Sequence, residues 1–560
     1  MVKKIFENSV RKGGSILFDQ QKTILSGAVV ISVMFLVSAI LGLVKKRLYV
    51  SVITAGPEYD VLVAAFSITD VLFQLLIVGS VNAAFIPIFS SHISTKGREE
   101  SWKFVSTVLN LTVVLFTVLA AVLFVGARFF GSLFFSGFSA DQLDQFVQIM
   151  RILLLSPLFL GVSSFVAGTL QAFKRFFMPF LSPVLYNVGA IFGIVVLYPL
   201  MGVTGAVWGV VIGAMLHLLI QLPALKYLGF SYHLILDLKD KFIKSLVTLS
   251  FPRTIGIGVE QIKTLVMLNI ASFLPHGSIS FLDLGQSIVS IPISLVGISI
   301  ATASFPQFTE LFVHKDYKAL KNTFLSSLNQ ILFFIMPFVV ILIVLKIPVV
   351  RLIYGSSSVR FPWEDTLQTA WVVAFLAVGM AAISINHLMI RLYYAQHNTI
   401  TPVIAGIVGV VTSIVIAAIL VEKFSFGVGA LAISISLGAV LESLILIASL
   451  VRSKFVGLVE IFVTPLKILT IGAIMGVSIY VPVKALDQVF IDTSRVVNLV
   501  ILMWLVTSFG ATLYLFLSWV LDIRELKQVL SILVKIRDFK SSVVKQFSQP
   551  RIIPQNFIDE

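Results

Sequence analysis

Fourteen long apolar runs constrain this chain more than any other feature of its sequence. Each is about 20 residues or longer, the length that an α-helix needs to cross a hydrocarbon core of roughly 30 Å. Backbone groups find no partners in lipid, so a spanning segment must bond internally as a helix. The runs therefore predict an all-α polytopic membrane protein with about 14 transmembrane helices. They lie near residues 24–44, 61–89, 104–125, 149–173, 178–200, 203–225, 246–274, 281–312, 324–347, 367–393, 402–421, 426–451, 466–483 and 496–521.

Composition narrows the class of protein further. Of the 560 residues, 58% are hydrophobic and only 12% are charged, whereas a soluble domain has roughly 25% charged residues. The net charge of +14 is spread over short connections and not grouped on one polar face, which argues against nucleic-acid binding. Cysteine is absent, which excludes disulfides, thiolate zinc sites and cysteine nucleophiles.

Three pairs of short segments recur in order at a nearly fixed spacing. Pro87 and Pro306 lie 219 positions apart in the first pair, and Pro179 and Pro402 lie 223 apart in the second. Such recurrence indicates an internal duplication, the usual ground plan of secondary transporters. We expect two parallel six-helix repeats that form N and C lobes around a central cavity, followed by two extra C-terminal helices. The paired segments are Gly79–Phe89 with Gly297–Phe308, Ala172–Pro179 with Ala395–Pro402, and Gly205-Ala206 with Gly429-Ala430.

The distribution of lysine and arginine predicts the orientation and the domain limits. An excess of basic residues on alternate connections places both termini in the cytoplasm. Apolar residues at helical spacing within Leu521–Phe547, opposite basic ones, predict an interfacial helix, with a plain basic stop-transfer tail as the alternative. The predicted parts are a basic N-terminal segment (1–23), the N lobe (24–228), a cytoplasmic linker (229–245), the C lobe (246–451), spans 13 and 14 (452–521) and a basic amphipathic cytoplasmic tail (522–560).

Ionisable residues within spans are costly and therefore mark candidate sites. Lys45 and Lys46 close span 1 on the outer side, where they form a cationic patch for a diphosphate or extend to the interface. Arg253 at the entry of span 7 has the same two interpretations. Asp60 begins span 2, where a helix cap is the alternative to a binding role.

Four further residues are candidates for ion or proton binding or for purely structural contacts. Asp70 lies deeper in span 2, within reach of a pairing with Lys45 or Lys46. Glu260 and Lys263 are three apart on span 7, so they share a helix face and favour a structural pair. Glu442 is a lone carboxylate in span 12, which binds an ion or proton or forms a hydrogen bond between helices.

Enzyme signatures are missing from the sequence. No nucleotide-binding Gly-x4-Gly-Lys-Ser/Thr loop, no Gly-x-Ser-x-Gly elbow and no histidine pattern with metal-ligand spacing is present. We therefore predict no catalytic residue, no metal and no cofactor. One alternative function, a polytopic membrane enzyme, would need clustered acidic residues or histidines on a membrane-surface loop, and the sequence has no such cluster. Another alternative, a scaffold for cell-wall enzymes, would not need the charges that this chain has within its spans.

A series of short segments, in order along the chain, matches one known family. The segments are Leu41-Gly42, Asp60, Ala64–Phe66, Ala83–Phe89, Pro252-Arg253, Gln261, Ala271-Ser272, Gly277–Ser280, Pro292, Gly297, Pro306, Arg391, Tyr394-Ala395 and Thr401-Pro402. In these segments the sequence resembles the MurJ (MviN) lipid II flippases, whose superfamily also contains multidrug exporters and polysaccharide flippases. The resemblance covers roughly residues 24–520. It implies a carrier that moves undecaprenyl-diphosphate-linked disaccharide-pentapeptide from the inner to the outer leaflet.

The chain departs from the charge pattern that the resemblance implies. An arginine-acid pair of the family aligns with Lys45-Lys46, so that one charge is kept and the other is reversed. The acidic residue at the head of span 2 is kept as Asp60. A sodium-binding carboxylate of some members aligns with Asn269. Four arginine positions of the family are occupied here by Ala39, Phe73, Gln74 and about Ser287.

The sequence as a whole predicts a flippase of the bacterial inner membrane that works by alternating access. Its expected partners are a lipid-linked diphosphate and membrane lipids, with cell-wall synthesis proteins as further candidates and a monomer as the expected state. Another lipid-linked oligosaccharide flippase or a multidrug exporter of the same fold is the alternative. The predicted substrate-binding residues are Lys45, Lys46, Asp60, Arg253 and Arg391.

Overall fold

The computed structural model describes residues 24–78, 84–355, 361–485 and 495–527. Within these ranges the regular structure is helical, which confirms the predicted fold class. Twelve helical segments are long and apolar enough to cross a membrane, and each coincides with a predicted span. The remaining two predicted spans coincide with helices of 30 and 32 residues. The predicted N-terminal segment and most of the predicted tail lie outside the described residues.

Twenty α-helices follow one another along the described chain. The first eleven are α1 (Ile24–Ile53), α2 (Pro57–Phe73), α3 (Ile86–Val125), α4 (Ala127–Phe134), α5 (Ala140–Leu153), α6 (Leu155–Ala172), α7 (Phe177–Phe192), α8 (Tyr198–Met201), α9 (Val203–Leu219), α10 (Leu222–Tyr227) and α11 (Lys241–Ser272). The others are α12 (Ser278–Pro292), α13 (Ser299–Val313), α14 (Tyr317–Val344), α15 (Lys346–Ile353), α16 (Trp363–Ala395), α17 (Ile400–Phe424), α18 (Val428–Arg452), α19 (Leu458–Ala485) and α20 (Val496–Val520).

Local breaks modify the helices at glycines and prolines. Within α3 the backbone leaves the helical conformation at Gly97 (φ 79°, ψ −177°), at the predicted connection between spans 2 and 3. Wider π-helical turns follow α2, α7 and α12, a feature that is frequent at functional sites. They span Gln74–Val78, Gly193–Leu197 and Ile293–Ile298. The first and third begin 219 positions apart, the same offset as Pro87 and Pro306.

Residues in the left-handed backbone conformation recur along the chain in the order that a duplication requires. Most of them follow the last turn of a helix, where this conformation commonly ends it. Five pairs are separated by 218 to 225 positions; four have one member in each predicted repeat, and the fifth lies just beyond the end of each repeat. This recurrence supports the internal duplication independently of residue identity. The pairs are Thr54 with Gly277, Gly97 with Lys315, Lys174 with His397, Gly202 with Gly427, and Gly229 with Lys454.

The described residues divide into two compact units. The first comprises the described residues within Met1–Ser290, Lys346–Gly379 and Ile400–Leu444. Its aromatic core is centred on Phe85, whose ring stacks on Phe89 at 5.6 Å and meets Phe165 edge-on at 5.2 Å. Helices α7 and α9 approach closely in this unit because glycines replace side chains at the contact. A Cβ on Gly209 would overlap the backbone of Gly193, the residue that directly follows α7.

The second unit comprises the described residues within Ile291–Leu345, Met380–Thr399 and Ile445–Glu560. Polar contacts join its helices at buried positions. Ser304 and Ser327 share a hydrogen bond of 2.9 Å between α13 and α14, and Tyr514 donates to the carbonyl of Phe333 at 2.9 Å. Bonds of this kind hold helices together where the membrane provides no hydrophobic driving force.

The predicted linker packs against α3 of the first unit. No helix is present from Gly229 to Asp240, and the Asp240 carboxylate then accepts from the Phe242 N–H at 2.8 Å to cap α11. The Asn110 amide donates to the carbonyls of His233 and Ile235 at 3.1 and 2.8 Å. The linker thus follows a defined path, whereas its cytoplasmic location stays a prediction.

Candidate functional site

Lys46 in α1 forms an ion pair with Asp283 in α12, 237 positions later in the chain. Both side chains are partly buried, with exposed fractions of 24% and 23%. The Tyr59 hydroxyl donates to the same carboxylate oxygen at 3.3 Å. The ammonium group predicted to bind a diphosphate is therefore already neutralised by a carboxylate of the chain itself.

Lys45 lies beside this ion pair and completes a group of four charges. Its Nζ lies 5.2 Å from the centroid of the Tyr186 ring, a cation–π contact. Its charged neighbours are Lys46, Asp70 and Asp283. We call Lys45, Lys46, Asp70 and Asp283 the charge quartet; with all four groups ionised its net charge is zero. Arg47, one residue further, instead donates to the carbonyl of Leu352 at 3.3 Å.

Asp60 caps a helix, but not the helix that contains it. Its buried carboxylate accepts from the backbone N–H groups of Gly277 and Ser280 at 2.6 and 2.8 Å and from the Ser280 hydroxyl at 2.6 Å. These donors lie at the start of α12, where the first N–H groups of a helix lack partners within it. The capping interpretation therefore fits the geometry better than substrate contact, which stays a prediction.

The structure describes the side chain of only one of the two predicted binding arginines, Arg391. The side chain of Arg253 lies outside the described residues. Arg391 lies on α16 in the second unit. Its guanidinium donates to the Thr302 hydroxyl at 2.9 Å and to the carbonyl of His387 at 3.1 Å.

The remaining candidates take part in contacts between or within helices. Glu260 and Lys263 form an ion pair on one face of α11, the structural pairing that their spacing favours. Glu442 lies on α18 against Gly409 of α17, where an added Cβ would come within 3.2 Å of the Glu442 Cβ. Among the described residues, no three His, Cys, Asp or Glu side chains come together as metal ligands would.

Asp283 is the residue that sequence reasoning missed. It stands between Leu282 and Leu284 in an apolar span, so its charge within the span was the signal that could have identified it. The resemblance directed attention to Ser287, where an arginine was implied. Residues 283 and 287 are about one helical turn apart. Position 46 thus carries a cation where the resemblance implies an acid, and span 8 carries a carboxylate about one turn from the place where it implies an arginine.

Comparison with known proteins agrees with this fold. The family model described as "Lipid II flippase MurJ" matches residues 49–501. The probable lipid II flippase MurJ of Bdellovibrio bacteriovorus is 26% identical over 529 residues, which cover 92% of this chain and 98% of that protein.

Two solved structures share the architecture. A structure of the lipid II flippase MurJ in an inward closed conformation superposes with a TM-score of 0.73 at 24% identity, and the match covers 88% of this chain and 98% of that one. An inward-facing multidrug resistance transporter of the MATE family gives a TM-score of 0.64 at 16% identity, and the match covers 75% and 94% of the two chains. Since the family model matches most of the sequence, the chain belongs to the MurJ family of lipid II flippases.

Proposed function

We propose that this protein moves a lipid-linked diphosphate, the peptidoglycan precursor lipid II, from the inner to the outer leaflet by alternating access. The observation that carries the proposal is the family match across residues 49–501, which includes most of the first predicted repeat and all of the second. The twelve candidate spans and the two further helices give the chain the membrane-embedded body that such a carrier needs.

Lys45 and Lys46 are the groups that we assign to the diphosphate. A diphosphate left unpaired in a poorly hydrated cavity would cost several kcal/mol, so a carrier needs cations along its path. Tyr186 and Tyr59 contact this part of the site through the Lys45 ammonium and the Asp283 carboxylate. The prenyl chain would stay in lipid, because it is as apolar as the bilayer core.

The protein is assigned to the bacterial inner membrane with both termini in the cytoplasm. The basic bias of the connections supports this orientation. In that orientation the membrane potential is a source of energy, since moving one charge across 100 mV is worth about 2.3 kcal/mol. We propose a monomer as the functional state, and cell-wall synthesis proteins that use the transported lipid as its partners.

Reconstitution into vesicles tests this function. Vesicles would carry lipid II with a fluorescent group on the peptide, and a quencher added outside would report the fraction that reaches the outer leaflet. We expect the purified full-length chain to increase that fraction with time. A matched lipid carrying a different undecaprenyl-linked glycan distinguishes the rival substrate class. Transport of that lipid alone, with none of lipid II, would contradict the proposal.

A further inference from the structure

The charge quartet is balanced without any substrate. Lys46 contacts Asp283 directly, and Asp70 supplies a second carboxylate near Lys45. α1 carries both lysines, α2 carries Asp70 and α12 carries Asp283. A diphosphate that reaches Lys46 therefore enters a site that already contains a full set of counterions.

If Lys46 pairs with another anion, the other groups around Asp283 determine how unfavourable its unpaired carboxylate becomes. Tyr59 donates one hydroxyl to this carboxylate from α2 at 3.3 Å. Tyr354, 1% exposed, lies near it but donates its own hydroxyl to the carbonyl of Leu284 at 3.1 Å. Ser287 donates to the backbone carbonyl of Asp283 and not to its carboxylate. The nearby charges are those of Lys46, Lys45 and Asp70.

A displaced Asp283 is thus a partly buried carboxylate that has lost its ion-pair partner and retains one tyrosine hydroxyl. Removing one partner of such a pair is costly, because the other charge stays in a poorly hydrated place. An arriving phosphate is also repelled by a carboxylate within contact distance of the same ammonium. Both effects weaken diphosphate binding and favour the return of Lys46 to Asp283.

We propose that Asp283 is the internal counterion of Lys46, which the diphosphate of the substrate displaces and which recaptures Lys46 when the substrate leaves. It acts as a positioning residue that keeps binding weak enough for release. This inference rests on the proposed function, because it assumes that Lys45 and Lys46 meet the diphosphate. A carrier that bound its cargo too tightly would not discharge it on the far side.

The test measures binding of undecaprenyl diphosphate and undecaprenyl monophosphate to the purified full-length chain. Asp283→Asn keeps the side-chain shape and removes the charge, and it should tighten diphosphate binding about tenfold. The monophosphate carries less charge, so its affinity should rise less. Asp283→Glu restores the carboxylate and should bind the diphosphate as the native chain does. Asp144→Asn, which removes a carboxylate from the exposed ion pair with Arg128, is the matched control and should change neither affinity.

Two comparisons separate the ways in which this inference can fail. If Asp283→Asn leaves diphosphate affinity unchanged or lowers it, while Lys45→Ala with Lys46→Ala abolishes binding, the counterion role is wrong and the proposed cation site stands. If the double alanine variant binds the diphosphate normally, the cation site itself is wrong. Should Asp283→Asn fail to fold, Asp283→Ser provides a second neutral variant with the same expected gain. If neither neutral variant folds, Asp283 is a structural residue and the proposal is overturned.

Discussion

The carboxylate of Asp60 accepts hydrogen bonds from both the backbone N–H and the hydroxyl of Ser280, 220 positions later in the chain. Asp60 belongs to the predicted N lobe and Ser280 to the predicted C lobe. The Lys46–Asp283 ion pair joins the same two predicted lobes, from α1 to α12. Two independent polar contacts therefore fix the start of α12 against α1 and α2.

Replacing Asp60 should weaken this connection. Asp60→Ala leaves the N–H groups of Gly277 and Ser280 without their acceptor at a buried place, and loss of a cap costs about 1–2 kcal/mol. We expect the Asp60→Ala variant to unfold at a lower temperature in detergent, as measured by fluorescence-detected chromatography of heated samples. Asp144→Ala, which removes only an exposed ion pair, should unfold as the native chain does. Equal unfolding of the Asp60→Ala variant and the native chain would assign the cap no stabilising role.

The glycines between α7 and α9 should tolerate no side chain. Gly209→Ala places a Cβ against the Gly193 backbone, and overpacking of this kind costs about 1–3 kcal/mol. Gly42→Ala in α1 is the matched control, because nothing lies within 4 Å of its added Cβ. We expect thermal unfolding to show a loss for the first variant and no loss for the second. If both behave alike, close approach of these helices does not limit stability.

The native chain contains no cysteine, so its topology can be tested with single introduced thiols. Ser231→Cys in the linker should react with a membrane-impermeant maleimide only after the cells are opened. Asp141→Cys, in a predicted outer segment, should react in intact cells. Both residues are exposed, so the difference would report sidedness and not burial. The opposite labelling pattern would invert the orientation derived from the basic residues.

The structure shows which parts of the site a sequence can predict. Local relations were predictable, because the Glu260–Lys263 pair follows from a spacing of three on a helix. The cap by Asp60 was predictable in kind but not in place, since only the tertiary fold brings the start of α12 to it. Asp283 was missed for the same reason: its partner is 237 positions away and on another helix.

The duplication gives a geometric prediction. In an experimental structure, superposing spans 1–6 on spans 7–12 should bring Pro87 onto Pro306 and Pro179 onto Pro402, within about one helical turn of 5.4 Å. The matched left-handed residues at Gly202 and Gly427 should then coincide as well. Prolines on unrelated helices would show that the alignment of the two halves is wrong.

The lysines of the charge quartet should be essential for transport. Lys45→Ala with Lys46→Ala removes both cations while leaving Asp70 and Asp283, so the site becomes negative and repels a diphosphate. We expect flipping in vesicles to be abolished, with normal insertion of the protein. Lys45→Arg keeps the charge and should retain activity. Full transport by the double alanine variant would assign these lysines to the interface and move the substrate site elsewhere.

The most direct measurement of the central claim is rescue of a bacterium that has been depleted of its own lipid II flippase. Outer-leaflet lipid II would be quantified in cells expressing this chain, the double alanine variant or neither. The account predicts that the native chain restores outer-leaflet lipid II and that the double alanine variant does not, at equal membrane abundance. An abundant, correctly inserted native chain that leaves outer-leaflet lipid II at the depleted level would contradict it.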